Sequence, residues 1–242
     1  MATFTTFSDL LPDPNNKINN AGAADTSGTA GPGFAKIKFA SNNQTQVSRT
    51  ISGRGVTASP SYHNWAFDIN YNPMTRDEFD PVASFLESRR GRLNAFYVIL
   101  PQHAKPKSVA FANYCISNTI NCTTTLAGSP TILIYGIASG NGSPSIGDFF
   151  TITDPNDANH KKAYKIIRIE TNSTYQIGTY QPTSTQRKLW TQPPICRAVS
   201  TGSVINFIDP KFRVIQKGDT MEYDLDTDNL YQFSLSLEEI QP

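Results

Sequence analysis

Trp65-Ala66-Phe67-Asp68-Ile69-Asn70-Tyr71, followed by Asn72-Pro73-Met74-Thr75-Arg76-Asp77-Glu78-Phe79, decides the fold. In the first seven residues the large apolar side chains fall at every second position, which puts them on one face of a half-buried strand; a helix would scatter them. Pro73 stops the strand. Thr75 and Glu78 have the T-x-x-E spacing of a capping box, in which each side chain satisfies an otherwise unpaired backbone N–H, so a helix is predicted to start here. Phe79, Val82, Ala83 and Leu86 follow at i, i+3, i+4 and i+7, giving one apolar stripe. Arg89-Arg90-Gly91 supplies cationic last-turn residues and a terminal glycine, so the helix ends near Arg90. Pro81 lies beyond the first turn and removes one backbone hydrogen bond. Either the helix kinks there or its regular part begins with Asp80 as cap and Pro81 as first residue.

Outward from this segment, Ala95 to Pro101 is a short continuous apolar run, as expected of a well-buried strand after the helix. Before it, Phe34, Ile37 and Phe39 begin a strand, and Arg49 to Val56 supplies a second, interrupted by Gly53 and Gly55. At the far end Tyr231, Phe233, Leu235 and Leu237 alternate with polar residues, and Phe212 with Val214 opens a matching strand before Lys217-Gly218-Asp219. Residues 34–102 and 204–242 therefore read as one divided core. Between them, residues 103–203 are rich in Thr, Ser, Asn and Pro, yet Phe149 to Ile152 and Ala163 to Ile169 flank the polar loop Asp154 to His160. Two strands with a long turn-rich connector mark this stretch as an inserted small β domain. Residues 1–33, with few apolar side chains, read as an N-terminal extended arm, ordered against a neighbour or disordered.

The chain of 242 residues can bury a core without disulfide or metal support. Charged residues make up only 17%, and Lys plus Arg total 21 against 20 Asp plus Glu. A net charge of +1 gives no electrostatic reason for binding nucleic acid or anionic lipid. The first thirty residues hold no apolar core of the length a signal peptide needs, and no stretch approaches a membrane span. The chain reads as cytosolic at synthesis. Cys115, Cys122 and Cys196 form neither an even disulfide framework nor a metal pair, and read as small hydrophobes.

Motifs for chemistry are weak. His63, His103 and His160 lie far apart and outside any metal spacing, and no nucleotide-binding loop or nucleophile elbow occurs. Cys115 and His160 have a chain order that a thiol hydrolase permits, but without a helix signal to activate the thiol. Asp148, Asp154, Asp157 and the run Asp224-Leu225-Asp226-Thr227-Asp228-Asn229 offer carboxylates to a cation, yet the run lacks the glycine and distal Glu of a calcium loop and reads as a solvated hairpin turn. Trp65, Tyr71, Phe96, Tyr97, Trp190 and Tyr231 could stack on a sugar or base. Most sit at strand-face spacing and read as core, with Trp190 in a Pro-rich loop the exception. No catalytic residue, cofactor or metal is assigned.

One segment goes beyond a generic β protein. Trp65 to Phe79, continuing through Phe85-Leu86 and Arg89-Arg90-Gly91-Arg92 to Phe96 and Pro101, resembles phage distal tail proteins and the lambda-type minor tail protein M. There a strand leads to a "T-x-x-E-F … F-L" helix, then "G-R … F", then a strand ending in Pro. Phe212-Arg213-Val214 to Phe233-Ser234-Leu235-Ser236-Leu237-Glu238-Glu239 is similar to the last strands of such proteins, and Gly147-Asp148-Phe149-Phe150 with Lys162-Ala163-Tyr164-Lys165 to a hairpin of tail-protein insertions. The resemblance covers about half of the chain. It implies a mainly β fold: a split β-barrel with one packed α-helix, plus the inserted small β domain. It implies a non-enzymatic virion protein, made in the host bacterial cytoplasm, that forms a homo-oligomeric ring, commonly a hexamer, at the distal end of the tail tube near the baseplate. The partners so implied are the tail tube protein, the tail hub and the tape measure or fibre proteins, with DNA only passing through the lumen and no membrane. Removing residues 1–33 is then expected to weaken ring assembly more than folding. Two other readings stay open: a host-glycan or fibre-binding module carried by residues 103–203, and a cell-wall hydrolase using Cys115.

Overall fold

The alternation around Phe67 becomes burial: Trp65, Phe67, Ile69 and Tyr71 are buried, while Asp68 and Asn70 between them reach solvent. A computed structural model describes residues 7–58, 63–176 and 180–241. Its elements are, in chain order, β1 (Lys17–Ile18), β2 (Thr29–Ala30), β3 (Phe34–Asn43), β4 (Gln46–Arg49), β5 (Gly55–Ala58), β6 (His63–Tyr71), α1 (Arg76–Arg89), β7 (Phe96–Ile99), α2 (Val109–Ser117), β8 (Ile120–Cys122), β9 (Thr131–Tyr135), β10 (Phe149–Thr153), β11 (Ala163–Glu170), β12 (Gln186–Gln192), β13 (Val204–Asn206), β14 (Lys211–Gln216), β15 (Tyr223–Leu225) and β16 (Tyr231–Glu239). The fold is mainly β. The chain divides into two compact units, residues 1–98 with 213–240, and residues 99–212 with 241–242. The divisions fall near 98 and 212 rather than 102 and 203, because β13 closes the second unit's sheet between β10 and β8.

In the first unit the strands order β3-β6-β16-β14-β7, with β15 paired to β16. The antiparallel β6–β16 register sets Phe67 opposite Leu237 and Ile69 opposite Leu235, so the closing strand shares the core of the helix-bearing half. This sheet is a half-barrel; the closed barrel lies in the other unit. Helix α1 begins where the sequence predicts, with Thr75 donating to the Glu78 carboxylate from its N–H at 2.9 Å and its hydroxyl at 3.0 Å. It runs through Pro81 without restarting at Asp80, and ends as Arg90 turns left-handed at φ 56°. Its buried stripe is Phe79, Val82, Phe85 and Leu86, with Ala83 only half-buried. Phe79 stacks on Tyr231 at 4.6 Å and Phe85 meets Phe96 edge-on at 5.4 Å. Strand β7 alternates rather than being buried on both faces, since Tyr97 and Ile99 stay half-buried.

Two expectations change here. Arg49 to Val56 is not one strand: β4 and β5 pair with each other across a turn at Thr50 to Arg54, Gly53 taking φ +80° at its tip. Nor is the start of the chain an arm lacking cis contacts. Leu11 N–H donates to the Tyr97 carbonyl at 2.9 Å and Tyr97 N–H to the Asp9 carbonyl at 2.7 Å, so this segment covers the edge of β7. Leu11 is 1% exposed, and β1 pairs with β2. Two of the glycines that make this segment look like low-complexity linker are packing glycines, since a Cβ on Gly31 would lie 2.4 Å from the Pro12 carbonyl oxygen and one on Gly28 2.3 Å from that of Ile18.

The second unit is a closed barrel, β10-β11-β12-β9-β8-β13. The two strands read from sequence are neighbours in it, Phe150 opposite Tyr164. Phe111, Ile134, Phe150, Tyr164, Leu189 and Phe207 are among the side chains that fill its core. Helix α2 is an element that sequence reading missed. Ser108 caps it, its hydroxyl accepting from Phe111 N–H at 3.3 Å, and Phe111 and Ala112 are its buried residues.

These packing relations add a folding cost to truncation. Deleting residues 1–33 exposes the β7 edge and the surface under Leu11, so it lowers the melting temperature of the first unit, and not only assembly. Gly31→Ala, forced against Pro12, costs about 1–3 kcal/mol in chemical denaturation; an unchanged midpoint would refute the packing role.

Candidate functional site

The residues singled out for chemistry are dispersed and occupied. Cys115 is half-buried on α2 and Cys122 buried on β8, and burial pushes each thiol up to about 12, the opposite of an activated nucleophile. Cys196 is exposed. His63 opens β6, its Nε2 2.9 Å from the Ser41 hydroxyl and its ring edge-on to Trp65. His103 lies against the Phe149 ring at 4.7 Å; burial, helped by Lys165, lowers its pKa. His160 does not meet Cys115: its Nε2 is 2.8 Å from the Tyr164 hydroxyl, which lies 2.9 Å from Cys196 Sγ and accepts from Cys196 N–H at 3.1 Å. Cys196, His160 and Tyr164 thus form a cysteine–histidine grouping that sequence order did not suggest. Burial lowers the His160 pKa to about 4, so the ring is neutral near pH 7, and an imidazolium to hold a Cys196 thiolate is disfavoured.

The carboxylates serve loops. Asp148 accepts from Ser145 N–H at 2.7 Å and Lys107 N–H at 3.1 Å. Asp154 accepts from Ser200 N–H at 2.7 Å and Asn156 N–H at 2.9 Å. Asp157 pairs with Arg197, whose hydrogen bond lowers its pKa. Asp226 closes the β15–β16 turn, accepting from Asp228 and Leu230 N–H, each at 2.9 Å. Among the described residues no group of three or more His, Cys, Asp or Glu is arranged to hold a metal ion.

The aromatic candidates are mostly core. Trp65, Tyr71 and Phe96 are buried, and Tyr71 stacks on Phe233 at 5.7 Å. Trp190 lies on β12 rather than in a loop, its Nε1–H donating to Glu170 at 3.1 Å. Arg168 and Lys188 sit 5.5 and 5.6 Å from its ring and both pair with the Glu170 carboxylate. The indole is thus engaged within the barrel wall.

What remains is a surface. Every strand residue of the β4–β5 hairpin is exposed, among them Val47 at 66% and Val56 at 52%, and Ile51 at the turn is fully exposed. Its Arg49 and Arg54 side chains make no hydrogen bond or ion pair among the described residues. An isolated two-stranded ribbon is marginal in water, and its apolar side chains gain nothing from solvent. The hairpin is the candidate functional element: it can bind another protein surface.

His160 makes the second unit sensitive to acid. The folded ring resists protonation down to pH about 4, whereas the unfolded ring takes a proton near 6.5, so stability falls as pH drops from 6.5 and levels off below 4. In thermal melts His160→Gln flattens this dependence; a variant that keeps the wild-type pH slope would assign it elsewhere. A scan of protein-family models and a search of curated proteins return no match to this chain.

Proposed function

We propose that this chain is a non-enzymatic structural subunit of a bacteriophage tail, assembling into a ring at the distal end of the tail tube that connects tube to hub or fibres and leaves a lumen for DNA. The observation that carries this reading is the β4–β5 hairpin, which presents Val47, Ile51 and Val56 with no surface of its own chain to cover them among the described residues. A single protruding element that binds a different patch on an identical neighbour is a heterologous contact, and such contacts close into rings when the rotation permits. The resemblance of the segment from Trp65 to Pro101 to distal tail proteins supports a position at the distal end of the tube, and hexamers are common in that family. The outer face of the first unit's sheet fits a passage for DNA. Asp68 accepts from Ser236 at 2.8 Å and is flanked by Lys217 at 3.4 Å and Lys38 at 3.9 Å, a mixed-charge surface that neither grips nor strongly repels phosphate.

Sedimentation and negative-stain imaging of the purified chain test the reading. Closed rings with a central opening are expected. A monomer at tens of micromolar, with no particles of ring shape, would remove it.

A further inference from the structure

Beside the N-terminal half of α1, the first unit carries a groove of about 870 Å³. Phe7, Ile18, Pro81 and Phe85 give it apolar walls, Asp77 and Asp80 line it as well, and no Lys or Arg is among its described lining residues. Asp77 has no ion-pair partner among the described residues, and Asp80 has only the exposed, readily exchanged Arg76 at 3.2 Å. The β4–β5 hairpin is its complement. Residues 44–58 hold the exposed Val47, Ile51 and Val56, Arg49 and Arg54, which have no ion-pair partner among the described residues, and no acidic side chain.

Resting on the ring reading, we propose that this groove is the receptor for the β4–β5 hairpin of a second copy of the chain. The aliphatic side chains enter between the N-terminal segment and α1, and Arg49 and Arg54 meet Asp77 and Asp80. The hairpin does not line the groove of its own chain. It leaves the start of β6, whereas α1 follows the end of that strand, nine residues and roughly 30 Å away at about 3.3 Å per residue. Because donor and receptor are different patches of one molecule, each copy uses both, and the contact propagates from subunit to subunit. The same geometry explains why Leu11 and the glycines near it are packed so firmly: the N-terminal segment is one wall of the receptor.

Charge reversal in the full chain, read by sedimentation at several concentrations, tests this. Arg49→Glu with Arg54→Glu, and separately Asp77→Lys with Asp80→Lys, each weaken assembly by on the order of a hundredfold, since like charges then face each other. All four changes together restore it. Asp77 and Asp80 sit near the helix start, so Asp77→Asn with Asp80→Asn provides a milder arm, expected to weaken assembly about tenfold with the melting temperature retained. A wild-type ring that survives the arginine reversals, or reversals that are not rescued in the fourfold variant, overturns the docking while leaving the ring reading intact. A monomeric wild type overturns both.

Discussion

The antiparallel pairing of β6 with β16 is the constraint on which the first unit depends. It joins positions as far apart as Trp65, whose N–H donates to the Glu239 carboxylate at 3.2 Å, and Glu239, 174 residues later. Without this ladder the N-terminal end of the α1 stripe loses its support, because Phe79 packs against Tyr231 and Phe233 of β16. Closure over so long a loop is tolerable because its entropic cost rises only with the logarithm of loop length. It is eased further because the intervening chain forms its own barrel, leaving at β7 and returning at β14, which are neighbours in the sheet.

Buried carboxylates fix the register of both sheets. Glu239 is buried on β16 and meets the backbone of β6. Glu170 is buried on β11, where Trp190 and Lys188 of β12 and Arg168 of its own strand converge on it, next to a register shift between Ile166 and Arg168. A slip of one residue would turn such a group to the other face and strand a charge without donors, which costs several kcal/mol. The apolar faces alone would tolerate more sliding than these contacts allow.

Legibility followed locality. The β6–α1 segment could be read because its signals are short-range: alternation, the Thr75–Glu78 pair, the stripe, the cationic last turn. The β15–β16 turn could be read for the same reason. Reading failed where meaning comes from distant residues. Gly28 and Gly31 look like linker until Ile18 and Pro12 are seen against them. Arg49 to Val56 looks like one strand because the Thr50 to Arg54 turn lacks the usual hairpin dipeptides. Helix α2 hides because its apolar residues form no single buried stripe: Phe111 and Ala112 are buried while Val109 and Ile116 are exposed. The groove had no sequence signature at all, since it is made by two segments nearly fifty positions apart.

The distribution of exposed groups argues for where this surface associates. Among the described residues strand β3 pairs with β6 alone and leaves its other edge open, and an open edge invites indiscriminate pairing. That edge strand carries Lys36 and Lys38, both exposed, and charged side chains of this kind discourage edge-to-edge growth. Beyond Asn43 the same chain turns into the hairpin, where lysines give way to valine, isoleucine and arginine. Arginine is less strongly hydrated than lysine and is suited to partly buried pairing with carboxylates. Within a few residues the chain thus passes from a charge-guarded edge to an exposed ribbon of aliphatic and arginine side chains, and it is this ribbon, not the backbone edge, that the proposed contact covers.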